Sequence, residues 1–494
     1  MRRPGLTDNS PRSPVLASLA VVLSLLGGGC DGTEAAQAPA PLEHDDAALE
    51  ASCSQYPVDP RRSLTVTDLS VVEDPVRTQW TGAFADEDDG AWHFGRLMAE
   101  MRHSTTTPVQ WMNTFWQKFR VEEVVNCMPV APRRAGVDTL ILGAWPKKDG
   151  VLDLTRAPFR LLAISFRFDL RDLNPITPGG KPVDPNDPDN PPIGGELRFV
   201  YALVNPATGA PRDFTIGLEY MLPATNVDQL KRWALRAQRL STLPAGSAEY
   251  RTALRSLTRD VTRRGAGAAY IPNRPNGSYL LRIRTNDDRV LYNAVDAQTG
   301  ELLGNEHQMR EFRIPSLNPD ALDHFYLEKT PHHGVNGSPR LGDYILENAD
   351  RILENHYKIP QEYPARDPGV PADRKCGEGI HVFRGSVVRV DPTNSFWASP
   401  NLPLDSIRNR RLRHQFSLNT CNGCHGREAG NTTRFHVHPR LAGQEAALSD
   451  FVTGLGTPVS DPAGARDVDG SLIRRGFNDL NRRRVDLSDW LCTH

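Results

Sequence analysis

Five consecutive residues, Cys421-Asn422-Gly423-Cys424-His425, constrain this chain of 494 residues more than any other feature. Two thiols three positions apart, followed at once by an imidazole, have to come from one turn of backbone and face one ligand. That is the spacing of covalent c-type haem attachment, in which the thiols reach the two vinyl groups of one porphyrin and the imidazole ligates iron. The expected cofactor is haem c, with Cys421 and Cys424 as attachment points and His425 as proximal ligand.

Two other chemistries use the same cysteines. Cys421, Cys424, His436 and His438 offer two thiolates and two imidazoles for a tetrahedral zinc site. The His-x-His spacing is shorter than zinc modules use, and it leaves His425 without a task. A short disulfide between Cys421 and Cys424 is the other reading. Under the haem reading the far side of the iron also needs an occupant. The seven methionines (1, 98, 101, 112, 128, 221 and 309) all precede the motif by more than a hundred residues, so His436 and His438 are the nearest candidate distal ligands. Extended backbone would place both on one face. Met309, or a histidine among His324, His332, His333 and His356, offers another cover, and a five-coordinate iron open to a small molecule is the remaining option. Arg427, Arg434 and Arg440 are candidates for the haem carboxylates. The run Arg408–Arg413 reads as the solvated face of a short helix or as a dock for an acidic redox partner.

The N-terminus reads as an address. Arg2, Arg3 and Arg12 precede an unbroken run of twelve apolar or small residues, Val15–Leu26, too short to span a bilayer, and Gly27-Gly28-Gly29-Cys30 follows. The small residues before Cys30 resemble the lipobox of bacterial lipoproteins, which implies lipidation of Cys30 after removal of residues 1–29; the usual Leu three places before the cysteine is here Gly27. Removing three Arg and one Asp takes the net charge from −2 to −4. The Ala/Pro/acid-rich stretch Asp31–Asp46 reads as a tether, and no later segment is long and apolar enough to span a membrane. With 58 Lys+Arg against 60 Asp+Glu, a basic nucleic-acid binder is excluded.

Export places the remaining cysteines in an oxidising compartment. With Cys30 on lipid and two in the motif, Cys53, Cys127, Cys376 and Cys492 are left, enough for two disulfides. Proximity within proposed regions favours Cys53–Cys127 and Cys376–Cys492.

Between residues 61 and 315 short β-prone segments alternate with turns: Leu64–Val72, Pro158–Asp169, Glu196–Val204, Asp213–Met221, Tyr279–Thr285 and Val290–Val295. Helical spacing interrupts them at Ala91–Met101, Val109–Val125, Val227–Arg239 and Ala248–Arg263. Residues 174–195 hold seven prolines and four glycines and form a long loop. Residues 316–404 read as a connecting segment with one amphipathic helix, capped by Ser338, begun by Pro339 and presenting Leu341, Ile345, Ile352 and Leu353.

Residues 405–494 run from a basic lead-in through the CxxCH motif to a helix-like end at Phe477–Leu491. That order resembles a small class I cytochrome c domain; the departure is the absence of a downstream methionine. As a whole the chain is similar to exported bacterial lipoproteins bearing one CNGCH motif. The expected fold class is α+β multidomain: a signal peptide (1–29), a lipid-anchored tether (30–60), a β-rich, sandwich-like region (61–315), the connecting segment, and a small, mostly α cytochrome c-like domain (405–494). The expected function is one-electron transfer in the cell envelope, on a membrane facing the periplasm or the exterior, with an unidentified redox partner; an enzyme built this way would be a haem-dependent oxidoreductase. The alternative is a non-redox binding or adhesion lipoprotein whose CxxC is a disulfide or zinc site.

Overall fold

Five of the six β-prone segments, joined by a strand the sequence did not single out, assemble into one antiparallel sheet of six strands: β1 (Thr65–Val66), β2 (Phe159–Arg167), β3 (Ile193–Val204), β4 (Pro211–Pro223), β5 (Leu280–Asp287) and the added β6 (Gln308–Arg313); of the expected Val290–Val295 strand only 290–291 are among the described residues, and they are not in a strand. They lie side by side in chain order. The computed structural model describes residues 42–43, 53–101, 107–125, 128–130, 132–174, 192–267, 278–288, 290–291, 307–313, 336–353, 397–430 and 434–494. The signal region, Cys30, nearly all of the tether, Cys127, Cys376, most of the proline-rich loop, and His324, His332, His333 and His356 lie outside the described residues.

Alternation gives the sheet two faces. On one, the register aligns Phe199, Leu218, Ile283 and Phe312 across β3 to β6, and all four are fully buried. Helices cover this face. The first, α1 (Pro108–Arg120), starts at a capping box between Thr107 and Gln110 with Pro108 in its first turn, and buries Trp111, Met112, Phe115, Trp116 and Phe119. Phe115 meets Phe312 edge-on at 4.9 Å, and Trp116 stacks on Phe159 at 6.0 Å. Next come α2 (Val227–Leu240), capped by Asn226, and α3 (Ala248–Thr262), capped by Ser247. Among the described residues it is helices, and no second sheet, that cover the apolar face, so the arrangement is mixed α/β where a sandwich was expected. Strand alternation specifies a two-faced sheet without specifying its cover.

Local chemistry shortens two expected elements. The Leu64–Val72 strand ends at Val66 because the Asp68 carboxylate accepts from the Ser70 amide and caps a helix at Leu69–Val72. Helix α1 stops at Arg120, and Glu123–Val125 turns into a hairpin with Met128–Val130.

The opposite face of the sheet is charged, with its glutamates buried and its arginines partly buried. Glu196 and Arg198 on β3, Glu219 on β4, Arg282 and Arg284 on β5 and Glu311 on β6 stand on it. Arg198 bridges Glu196 (2.5 Å) and Glu219 (3.3 Å), Arg284 bridges Glu219 (3.3 Å) and Glu311 (2.8 Å), and Arg282 bridges Glu311 (3.1 Å) and Glu196 (2.9 Å). The six groups form a closed ring of alternating charge. The segment at 434–448 lies over this side: Asn286 donates to the Arg434 carbonyl (3.1 Å), Arg440 to the Leu161 carbonyl (3.0 Å), and Ala446 packs on Leu162 and Ala202.

Among the described residues four helices, one of them the short Asp450–Thr453, organise the C-terminal stretch, and they follow two others in the chain. The expected amphipathic helix appears as α4 (Pro339–Glu347), capped by Ser338, and α5 (Ala349–Leu353). Leu341, Tyr344, Ile345 and Ile352 form a small separate core with Trp397, Leu412 and Phe416. Leu412 and Phe416 belong to α6 (Ile407–Leu418), which leads into the short α7 (Cys421–Cys424); α8 (Asp479–Thr493) closes the chain. Phe451, Val452, Phe477, Leu480, Leu487 and Leu491 share the core of the sheet and its helices. Arg408 and Arg411 are exposed on α6, whereas Arg413 is fully buried, held by Glu428 (2.7 and 2.8 Å) and Asp461 (2.6 Å). Part of the arginine run is therefore internal structure, neither solvated nor available to a partner. No helix among the described residues is long and apolar enough to cross a membrane.

The disulfide differs from expectation. Cys53 pairs with Cys492, across 439 positions, which excludes both Cys53–Cys127 and Cys376–Cys492. The common core brings α8 against the N-terminal segment, where Ser488 donates to the carbonyls of Cys53 and Tyr56, each at 3.0 Å. Closing so long a loop restricts the unfolded chain, so Cys492→Ser is expected to lower the unfolding free energy by about 2–5 kcal/mol. Denaturant unfolding of the wild type and variant checks this; equal midpoints and slopes would contradict it.

Candidate functional site

The CxxCH motif sits where α6 breaks. Helix α6 ends at Leu418 with Asn419 as its C-cap, and Thr420 restarts the chain: its hydroxyl donates to the Ser417 carbonyl (2.7 Å), accepts from the Gly423 amide (2.9 Å) and accepts from the Trp397 indole (3.1 Å). Gly423 is required by space, since a Cβ there would lie 2.1 Å from the Ser417 carbonyl oxygen. Cys421 is buried and Cys424 partly so, and neither is in a disulfide. Burial pushes the Cys424 thiol up to about 12, keeping it protonated.

His425 follows with Nδ1 2.9 Å from the carbonyl of Arg434. A carbonyl only accepts, so Nδ1 carries the proton and Nε2 presents its lone pair. Burial, against the pull of that hydrogen bond, lowers the imidazole to about 4, so it is neutral near pH 7. Arg434 itself has φ of 62°, a left-handed conformation uncommon for a long side chain, and this turns its carbonyl toward both His425 and Asn286.

A cavity of about 200 Å³ opens beside the motif, lined by Cys421, Cys424, His425, His436 and Met309. A second of about 140 Å³ runs along the charged side of the sheet and shares His425, His436 and Met309 as walls. The first is lined by five arginines, Arg167, Arg198, Arg284, Arg482 and Arg483, against Asp169 and Asp479. Arg198 and Arg284 are also members of the charge ring, balanced there by Glu196, Glu219 and Glu311. Ion pairs hold the arginines in place: Arg167 to Asp169 (2.8 Å), Arg482 to Asp479 (2.6 Å), and Arg483 to Asp479.

The structure brings Cys421, Cys424, His425 and His436 together. His436 Nε2 lies 3.2 Å from Cys424 Sγ, its Nδ1 3.1 Å from Ser449 Oγ, and its ring 4.2 Å from that of His425. His438 does not join them; it is half-buried, burial lowers its pKa, and its carboxylate neighbours are Asp213 and Asp450. The four residues considered for zinc are thus not gathered, and among the described residues no group of three or more His, Cys, Asp or Glu is arranged to hold a metal ion. Arg434 pairs with Asp288 (3.1 Å) and Arg440 with Glu73, and neither these nor Arg427 line the cavity. The five lining arginines escaped the sequence because all lie far from the motif, one each on β2, β3 and β5 and two on α8, in strand and helix patterns that read as solvent-facing.

The donor set fits a c-type haem: two thiols at the required spacing, an imidazole fixed in the ligating tautomer, and cations for two carboxylates. No family model, curated protein or solved structure matches the chain.

Two outcomes are expected. Gly423→Ala should force the turn away from Ser417 and lower the midpoint of denaturant unfolding; an unchanged midpoint would contradict it. The second concerns Glu428, where burial would raise the carboxyl but the Arg413 guanidinium and the His414 hydrogen bond outweigh it and hold it well below its ordinary 4.5. A depressed folded-state pKa contributes stability that is fully present above about pH 4.5 and is lost as pH falls through the folded value. Glu428→Gln should therefore cost about 3–5 kcal/mol at pH 7, with the gap to wild type shrinking below pH 4.5; a constant gap in denaturant titrations would contradict it.

Proposed function

We propose that this chain is an exported lipoprotein, anchored through Cys30, that carries one haem c on Cys421 and Cys424 with His425 as iron ligand, and that it transfers single electrons in the cell envelope. The observation that carries the reading is the 2.9 Å contact from His425 Nδ1 to the Arg434 carbonyl, which leaves a neutral Nε2 beside two thiols at the mouth of an arginine-lined cavity. A bound haem would supply a one-electron couple.

The chain's own residues have separable tasks in this reading. Cys421 and Cys424 hold the group covalently. The Arg434 carbonyl orients His425 and raises its basicity as a ligand. Arg167, Arg198, Arg284, Arg482 and Arg483 receive the two carboxylates by charge-assisted hydrogen bonds. Sheet and C-terminal segment together keep bulk water from much of the site.

The test is the full chain, expressed with its signal and a cytochrome c maturation system. Pyridine haemochrome spectra and haem-stained denaturing gels should show a haem that survives denaturation and disappears in Cys421→Ala/Cys424→Ala. A colourless, correctly exported protein would overturn the proposal.

A further inference from the structure

Asparagine is depleted from strands, where its side chain competes with the backbone for hydrogen bonds. Asn286 nevertheless sits in β5, in register between Thr215 of β4 and Met309 of β6. It is buried and shares the charged face of the sheet with Arg284. From that fixed base its side-chain amide donates to the carbonyl of Arg434 at 3.1 Å, the same oxygen that accepts from His425 Nδ1 at 2.9 Å. A carbonyl oxygen has two lone pairs and can serve both donors. Asp288, two residues further on, pairs with the Arg434 guanidinium at 3.1 Å, so the end of one strand holds both the side chain and the carbonyl of this residue.

The two donors are not equivalent. The Asn286 amide nitrogen can only donate, whereas His425 can move its proton from Nδ1 to Nε2. Arg434 holds φ of 62°, and a left-handed backbone at a long side chain lasts only where its surroundings over-determine it. The sheet therefore aims the carbonyl, and the imidazole answers to it. Without Asn286, Arg434 relaxes to an ordinary backbone, Nδ1 loses its acceptor, and the proton passes to Nε2, the form that dominates in free histidine. The lone pair beside the two thiols is then lost. We infer that Asn286 is a positioning residue of the site: it sets the tautomer of His425 through one backbone carbonyl. The tautomer stands on the chain's own residues. A second consequence rests on the haem reading above and deepens it: an imidazole that donates from Nδ1 is the more basic iron ligand and favours the ferric state, so Asn286 holds the reduction potential down.

The test uses the full chain and two independent readouts. In chain made without a maturation system and carrying isotope-labelled histidine, ring-nitrogen chemical shifts report the His425 tautomer, assigned by the signals lost in His425→Gln. The wild type should carry its proton on Nδ1; a proton on Nε2 there overturns the inference before any variant is made. Asn286→Leu, close in volume, and Asn286→Val, a good strand former, both remove the donor and should move the proton to Nε2. Arg434→Gly keeps both hydrogen bonds and tolerates the left-handed backbone, so it should leave the proton on Nδ1. In matured chain the midpoint potential of both Asn286 variants should rise above that of the wild type. A proton retained on Nδ1 in both Asn286 variants would overturn the inference, and a moved proton with a wild-type potential would overturn its second consequence. A matured wild type without covalent haem overturns the haem reading alone, and the tautomer then decides this inference by itself.

Discussion

A ring of six charges on one face of the sheet, its three glutamates buried and its three arginines partly so, sets the terms for the rest of the molecule. Arg198, Arg282 and Arg284 each bridge two glutamates, and Glu196, Glu219 and Glu311 each bridge two arginines. Buried ion pairs add little net stability, yet losing one partner leaves an uncompensated charge. The face therefore cannot accept an apolar layer such as the helices that cover the other side. It needs a cover that brings polar groups, and the segment at 434–448 does so through the Arg434 carbonyl and the Arg440 side chain. That same cover carries the carbonyl that orients His425. Fold and candidate site thus share one constraint: the polarity that selects the cover also places cations around the cavity.

The motif is held from two directions. Thr420 ties it to Trp397 and the small core formed with α4 and α5, and Arg434 ties it to β5 through Asn286. The unfavourable φ of Arg434 persists because two donors converge on its carbonyl. Rigid support of this kind suits a group that must keep one tautomer and one orientation.

Much of this was legible in the sequence, and the failures have physical causes. Strands β2 to β5 and helices α2 and α3 fall close to where alternation and three–four spacing put them, because each buries one clean face. The CxxCH motif was readable since its chemistry is local. What covers a sheet is a long-range property, so a sandwich was expected where helices pack. Disulfide pairing failed for the same reason: regions assigned along the chain do not reveal that α8 returns to Cys53. Arg413 read as solvated because its acidic partners, Glu428 and Asp461, lie 15 and 48 positions on.

The central claim is that Cys421, Cys424 and His425 form one haem attachment site. Mass spectrometry of the proteolytic fragment containing these residues, isolated from protein matured with its own signal sequence, tests it most directly. The account predicts a fragment carrying one haem with both thiols consumed. A fragment of unmodified mass, or one whose only change is a Cys421–Cys424 disulfide, would contradict it.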